Sequence, residues 1–273
     1  MTPEEVGEDF VNKINSTLNG IAANMLFLLD ESVSVSPQQF EMEKYFVKSV
    51  AQAFPLSVNR TAGLITFSHV ADVDIPLTQT DTCLFVDSVG NVVYTEGGTS
   101  ILVALNLAID EIEKNAVHNT TLVFLVTDGI STTDPAPAAD TLKANGDIVF
   151  TIGIADYQRD QLEPLATVAS DGTPNFFGVS SFEVFLRIAH TDIYHQVSYN
   201  GHKCNLTNSL NFIGILTLMV LHSCQSHLHF TRYACIHTRM NRYICSIIDI
   251  MLNIYKFYKA MENPGWIQEN VTL

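Results

Sequence analysis

Two apolar runs in this chain, residues 25–29 and 121–126, each stop on a polar loop that opens with or contains an aspartate. Short runs of this kind, rich in branched and aromatic side chains, read as buried strands. The first leads into Asp30-Glu31-Ser32-Val33-Ser34 and the second into Thr127-Asp128-Gly129. Both aspartates therefore fall where a strand ends and a loop begins, and the carboxyl edge of an open α/β sheet is where ligands bind. Gly97-Gly98-Thr99 adds a further hydroxyl. The carboxylates of Asp30 and Asp128 and the hydroxyls of Ser32, Ser34 and Thr99, converging at that edge, suit a small hard cation that prefers oxygen ligands. Taken singly, each piece has a plainer reading: Asp30 or the serines as helix caps, Gly97-Gly98 and Asp128-Gly129 as turns. Only the combination, in this order, points to a metal.

Strands and helices alternate around these segments. Strands are expected over 24–29, 62–67, 121–126, 148–154 and 175–177, with 70–75 as a hairpin partner on one edge. Helices are expected to start near Ser36-Pro37, which has cap and first-turn chemistry, and to cover 81–89, 100–115, 137–145, 160–169 and 182–190. The buried stripe of the first is Phe40, Tyr45 or Phe46, Val47, Val50 and Phe54. This alternation predicts an α/β fold, doubly wound, with a mostly parallel central sheet and helices on both faces. Residues 1–21 are acidic, with Phe10, Val11, Ile14 and Leu18 at helical spacing, and read as a lead-in helix or linker.

Composition separates the two ends of the chain. Residues 1–200 hold 8 Lys/Arg against 26 Asp/Glu, whereas residues 201–273 hold 6 against 3. Four of the five cysteines and five of the nine histidines also fall after residue 200, which places a boundary near there. Beyond it the periodic order stops, and 193–273 reads as an irregular extension, disordered or artefactual, with a partial second module and a membrane-associated segment as the alternatives. Residues 210–221 are apolar but too short for a membrane span, which needs about 20 residues. Cys224, His227, His229, Cys235, His237 and Cys245 match no usual zinc spacing. Disulfides would leave Cys83 over from an odd count. A net charge of −15 argues against nucleic acid as partner.

The pattern Asp-x-Ser-x-Ser, then Thr, then Asp is that of the metal-ion-dependent adhesion site, and the chain closely resembles the von Willebrand factor type A family over residues 22–192. The resemblance continues through residues 63–68, 97–101, 125–129 and 149–154, and its flavour is that of the A domains of collagens and matrilins. It implies that Ser32, Ser34 and Thr99 bind the ion through their hydroxyls, while Asp30 and Asp128 act largely through water. Neutral hydroxyls around a divalent ion leave it electrophilic, with a position for the Glu or Asp of a partner protein. Magnesium is the expected ion, with manganese next; zinc would favour His or Cys, which the motif lacks. Glu31 occupies a variable position and either points to solvent or adds negative potential. Ser131, Thr132, Thr133 and Asp134 are expected to line the same face. Phe182, Phe185 and Ile188 on the last helix form either a movable apolar contact or an ordinary packed face.

Hydrolase, Walker and dinucleotide-binding signatures are all missing, so the expectation is a binder and not an enzyme. The leading function is an extracellular adhesion module; the alternative is an intracellular scaffold for a multiprotein complex. Met1 is followed by Thr-Pro-Glu-Glu without a secretory signal, so an extracellular protein would make this chain a fragment, a processed form or an incomplete gene model. Sequons at Asn15, Asn59, Asn119, Asn205 and Asn270 fit secretion.

Overall fold

The computed structural model describes residues 2–131, 133–189 and Cys204. The compact unit that holds the sheet spans residues 1–206. Its six strands are β1 (Ala23–Asp30), β2 (Arg60–Phe67), β3 (Ala71–Gln79), β4 (Thr121–Thr127), β5 (Ile148–Ile154) and β6 (Phe176–Val179). They lie in the order β3-β2-β1-β4-β5-β6, and every neighbouring pair is parallel except β2 with β3. Every residue of β1 and of β4 is buried, which is why both read as unbroken apolar runs: helices cover both faces of the sheet. The doubly wound parallel fold expected from the sequence is the fold observed.

Strict alternation along the strands sorts the core into two layers. On one face Phe27 stacks on Phe124 at 5.0 Å and Phe124 on Phe150 at 5.1 Å. Phe10 of α1 (Pro3–Leu18) meets Phe177 edge-on at 5.1 Å, and Phe46 of α2 (Pro37–Ala53) lies 4.8 Å from Phe185 of α7 (Phe182–Ile188). Phe85 of α3 (Thr82–Asn91) closes this aromatic layer against Phe27 at 6.0 Å. The other face is aliphatic. Leu26, Leu28, Val123, Leu125 and Val149 pack under Leu105 and Ala108 of α4 (Ile101–Asn115) and Ala139 and Leu142 of α5 (Ala136–Ala144).

Several boundaries differ from expectation for identifiable reasons. Residues 1–21 hold a full helix, opened by a capping box between Thr2 and Glu5, whose Phe10 and Ile14 are almost wholly buried. It is part of the sheet's core and no linker. In α2 the buried ring is Phe46, with Tyr45 half-buried, and Ser36 and Gln39 form the expected cap with Gln39 Oε1 2.7 Å from the Ser36 amide. Strand β3 runs four residues past the expected Ile75 because Pro76, which has no N–H to donate, sits on the sheet's edge where none is needed. Gly63 opposite it is obligatory: a Cβ there would come within 2.8 Å of the Leu77 backbone. The helix expected over 160–169 is only α6 (Arg159–Leu162), followed by a 3₁₀ turn through Pro164, which cannot continue the helical hydrogen bonding. Cys83, expected to be left over, is paired with Cys204, with Cα atoms 5.3 Å apart. The remaining tail cysteines and histidines, and the sequons at Asn205 and Asn270, lie outside the described residues. Among the described residues no helix is long and apolar enough to cross a membrane.

Candidate metal centre

Strand order reverses between β1 and β4: the chain leaves β1 towards β2 and leaves β4 towards β5, on opposite sides. A crevice forms at such a switch point, outside the carboxyl ends of the strands. Asp30 is the last residue of β1, and Asp128 follows the last residue of β4. The sequence-predicted residues meet here. Asp30 and Ser32 have no solvent exposure, Asp128 and Thr99 are half-buried, and Ser34 is exposed, so the set runs from the protein interior out to solvent.

Hydrogen bonds hold the set together. Asp30 Oδ1 accepts the Ser32 amide at 2.9 Å, folding the loop back over its own carboxylate. Ser32 Oγ and Ser34 Oγ are 2.9 Å apart, and the Ser34 hydroxyl donates to Asp128 Oδ1 at 2.7 Å. Thr99 enters from the loop before α4. A Cβ placed on Gly129 would lie 3.1 Å from Thr99 Oγ1 and 3.5 Å from Asp30 Oδ2, so both oxygens border one point beside Gly129. The loop carrying Thr99 is anchored to the first: the Val33 amide donates to the Gly97 carbonyl at 2.9 Å. Gly97 itself packs on Ser68 and His69, leaving no room for a side chain.

The surroundings contain residues that the motif does not name. Thr127 donates its hydroxyl to Asp30 Oδ2, and Thr127 Oγ1 in turn accepts the Gly129 amide at 3.0 Å. The Tyr94 hydroxyl bridges the Val35 and Ser32 carbonyls at 2.6 and 3.1 Å, bracing the serine loop from outside. Glu31 does not point to solvent. It is 2 % exposed, and its carboxylate accepts the Thr95 hydroxyl at 2.7 Å and the Thr95 amide at 3.1 Å. Ser131 is likewise structural: its hydroxyl accepts the Ile101 amide at the start of α4 and donates to the Thr133 carbonyl. Thr133 and Asp134 are exposed on this side, and Thr132 lies outside the described residues. Phe182, Phe185 and Ile188 are all buried in the aromatic layer, a packed helix face. Thr127, at a strand end after an apolar run, carried a detectable sequence signal; Glu43 of α2, buried with both carboxyl oxygens unpartnered, carried none.

Electrostatically the centre is short of positive charge. Burial raises the Asp30 carboxyl to about 6, against the opposing hydrogen bonds from Ser32 and Thr127. Asp128 is raised too, by burial, with the Ser34 bond holding it down. Burial pushes Glu43 well above the ordinary carboxylate range, and the charges of Asp30 and Asp128 add to the effect. Carboxylates held out of water without counter-charge are costly, and a cation is the natural remedy. Among the described residues no group of three or more His, Cys, Asp and Glu could hold a metal, so the case for this centre rests on its hydroxyls. The donor set is all oxygen, in keeping with a hard divalent ion.

Comparison with known proteins agrees with this fold. The model of the von Willebrand factor type A domain matches residues 24–191. The rat sushi, von Willebrand factor type A, EGF and pentraxin domain-containing protein 1 is 30% identical over 183 residues, 63% of this chain and 5% of the relative. The mouse collagen alpha-5(VI) chain is 29% identical over 150 residues, 53% of this chain and 6% of the relative. The chain thus spans only a small fraction of the length of these relatives. A solved structure of proximal thread matrix protein 1 from the mussel byssus, with a zinc-occupied metal-ion-dependent adhesion site, superimposes with a TM-score of 0.56 at 25% identity, covering 63% of this chain and 47% of that one. With the family model covering well over half its length and the fold and strand-end residues in agreement, the chain belongs to the von Willebrand factor type A domain family.

Proposed function

We propose that this chain is a protein-binding adhesion module of the extracellular matrix, which takes an acidic side chain of its partner through a divalent cation. The observation that carries this reading is the graded site: Asp30 and Ser32 wholly buried, Ser34 exposed and hydrogen-bonded to Asp128, all through oxygen. Ser32, Ser34 and Thr99 would hold the ion through hydroxyls, with Asp30 and Asp128 supplying the negative charge. When bound, the ion supplies an electrophilic position for a carboxylate from outside, which lets an acidic domain recognise an acidic ligand. Val33 and Ile130 stand 70% and 47% exposed beside the site and offer apolar contact to the residues flanking that carboxylate. Nothing in this arrangement requires bond-making chemistry, so the reading is of a binder and not an enzyme.

Magnesium or manganese is the proposed ion, from the all-oxygen donors. Zinc is a competitor, because the site of the mussel protein takes it. The extracellular placement draws on the matrix relatives and on the Cys83–Cys204 disulfide, which persists in oxidising compartments. Calorimetric titration of magnesium, manganese and zinc into the full chain, beside Thr99→Ala and Asp128→Ala, tests the reading. Saturable binding lost in folded variants is the expected result. Equal binding by wild type and variants, or none by wild type, would remove the metal from the account.

A further inference from the structure

The loop that holds Ser32 and Ser34 and the loop that carries Thr99 come from separate parts of the chain, and they are joined through Val33, Tyr94 and Glu31. The Val33 amide donates to the Gly97 carbonyl at 2.9 Å. The Tyr94 hydroxyl reaches back to the Val35 and Ser32 carbonyls at 2.6 and 3.1 Å. Glu31 accepts the Thr95 hydroxyl on Oε1 at 2.7 Å and the Thr95 amide on Oε2 at 3.1 Å. Both oxygens of a side chain on a residue only 2 % exposed are thus committed to one partner. Hydrogen bonds to an ionised acceptor are stronger than those between neutral groups, and stronger again out of water. The second loop needs such a hold. No helix or strand covers residues 92–100, so regular structure does not set where Thr99 stands. Glu96 takes a φ of 63°, unfavourable for a residue with a side chain, which persists only where the surrounding structure over-determines it. The Ser68 carbonyl, accepting the Ser100 amide at 2.8 Å, fixes the far end of this loop, and Glu31 fixes the near one.

We infer that Glu31 is a positioning residue of the metal centre: its grip on Thr95 sets where the Thr99 hydroxyl stands relative to Ser32 and Ser34, so cation affinity depends on a side chain outside the ligand set. The inference rests on the cation-binding reading above. Glu31 lies between Asp30 and Ser32, at a position the motif leaves open, and only Glu96, Gly97 and Gly98 separate Thr95 from Thr99. Substitution of groups that orient metal ligands typically weakens binding about 10–100-fold. A role through charge alone would leave Thr95 irrelevant, whereas a grip makes Glu31 and Thr95 act as one unit.

The test is a double-mutant cycle in the full chain: wild type, Glu31→Ala, Thr95→Val and the double variant, with Thr95→Ser as the conservative control. Thr95 is exposed, so Thr95→Val removes one donor without changing charge or core packing. Magnesium and manganese calorimetry is expected to show binding weakened roughly tenfold or more in each single variant. The double variant should bind no more weakly than the poorer single one, and Thr95→Ser should recover most of the affinity. Two further readouts separate positioning from a merely structural role. The electron paramagnetic resonance line shape of bound manganese should change in Thr95→Val, and in chelator the amides of residues 96–99 should exchange hydrogen faster than in wild type. Wild-type affinity and line shape in Thr95→Val, or losses that add in the double variant, would overturn the inference while leaving the metal centre intact. A wild type that binds neither ion overturns the centre itself, and this inference with it.

Discussion

Thr127 and Asp30 end neighbouring parallel strands, and the Thr127 hydroxyl donates to Asp30 Oδ2 across the β4–β1 seam. This bond fixes which way the buried carboxylate faces, while Oδ1 is held by the Ser32 amide. Asp30 thus has both oxygens committed before any ligand arrives, which is the preorganisation a metal site needs.

Thr127→Val keeps the shape and removes the donor. The loss of a buried hydrogen bond to a carboxylate is expected to cost about 1–3 kcal/mol in chemical denaturation, together with a roughly tenfold or greater fall in magnesium affinity. Thr127→Ser should retain most of both. A valine variant that binds magnesium like wild type would show that Asp30 needs no orientation from β4.

The raised Asp30 carboxyl gives the metal-free protein a defined pH response. Its value of about 6 in the fold stands above the ordinary 3.8, so the folded state holds the proton more tightly than the unfolded chain. Stability contributed by this group is therefore full below pH about 4 and is lost as pH rises to about 6, a fall on the order of 3 kcal/mol. Urea denaturation in chelator across that window should show the decline, and Asp30→Asn should flatten it. Saturating metal should offset the loss above pH 6, because a cation favours the ionised form. A flat profile in wild type would mean that solvent reaches Asp30 more freely than its burial implies.

The parts legible in the sequence were those governed by local periodicity and by strand ends. The runs at 25–29 and 121–126, the Ser36 cap and the strand-end positions of Asp30 and Asp128 sit where the alternating pattern places them, since a strand's last residue must fall on the sheet's carboxyl edge. What escaped were relationships across the fold. Glu31 and Glu43 are charged residues that pattern reading sends to solvent, yet tertiary contacts bury both. Asn24, read as a strand's polar first residue, is wholly buried; it donates to the His118 carbonyl and accepts from the Thr61 hydroxyl and the Val117 and His118 amides, tying β1 to β2 and β4. The Cys83–Cys204 pair joins positions 121 residues apart, a distance at which spacing carries no information.

That disulfide predicts a redox-dependent stability. Closing so long a loop restricts the unfolded chain by roughly 4–5 kcal/mol in the chain-entropy model, and Cys83 is exposed to reductant. Thermal melting with and without dithiothreitol, beside Cys83→Ser, should show reduction lowering the wild-type midpoint to that of the variant. Coincident midpoints for the oxidised wild type and Cys83→Ser would mean that the bridge adds nothing to the fold.

Three of the sequons fall on exposed residues, and two of them mark one pole of the domain. Asn59 immediately precedes β2 and Asn119 lies two residues before β4, both at the amino edge of the parallel strands; Asn15 is in the last turns of the helix that leads into β1. The candidate metal centre lies at the opposite, carboxyl edge. Glycans at Asn59 and Asn119 would therefore extend away from the binding face and leave ligand access unimpeded. Protein from its native eukaryotic cells is expected to shift in mass on treatment with an N-glycosidase, and Asn59→Gln with Asn119→Gln should reduce that shift without altering magnesium affinity. No shift would count against passage through a secretory compartment and would favour the intracellular scaffold. A shift accompanied by altered metal affinity would instead place the glycans against the metal face, contrary to the strand polarity on which this expectation rests.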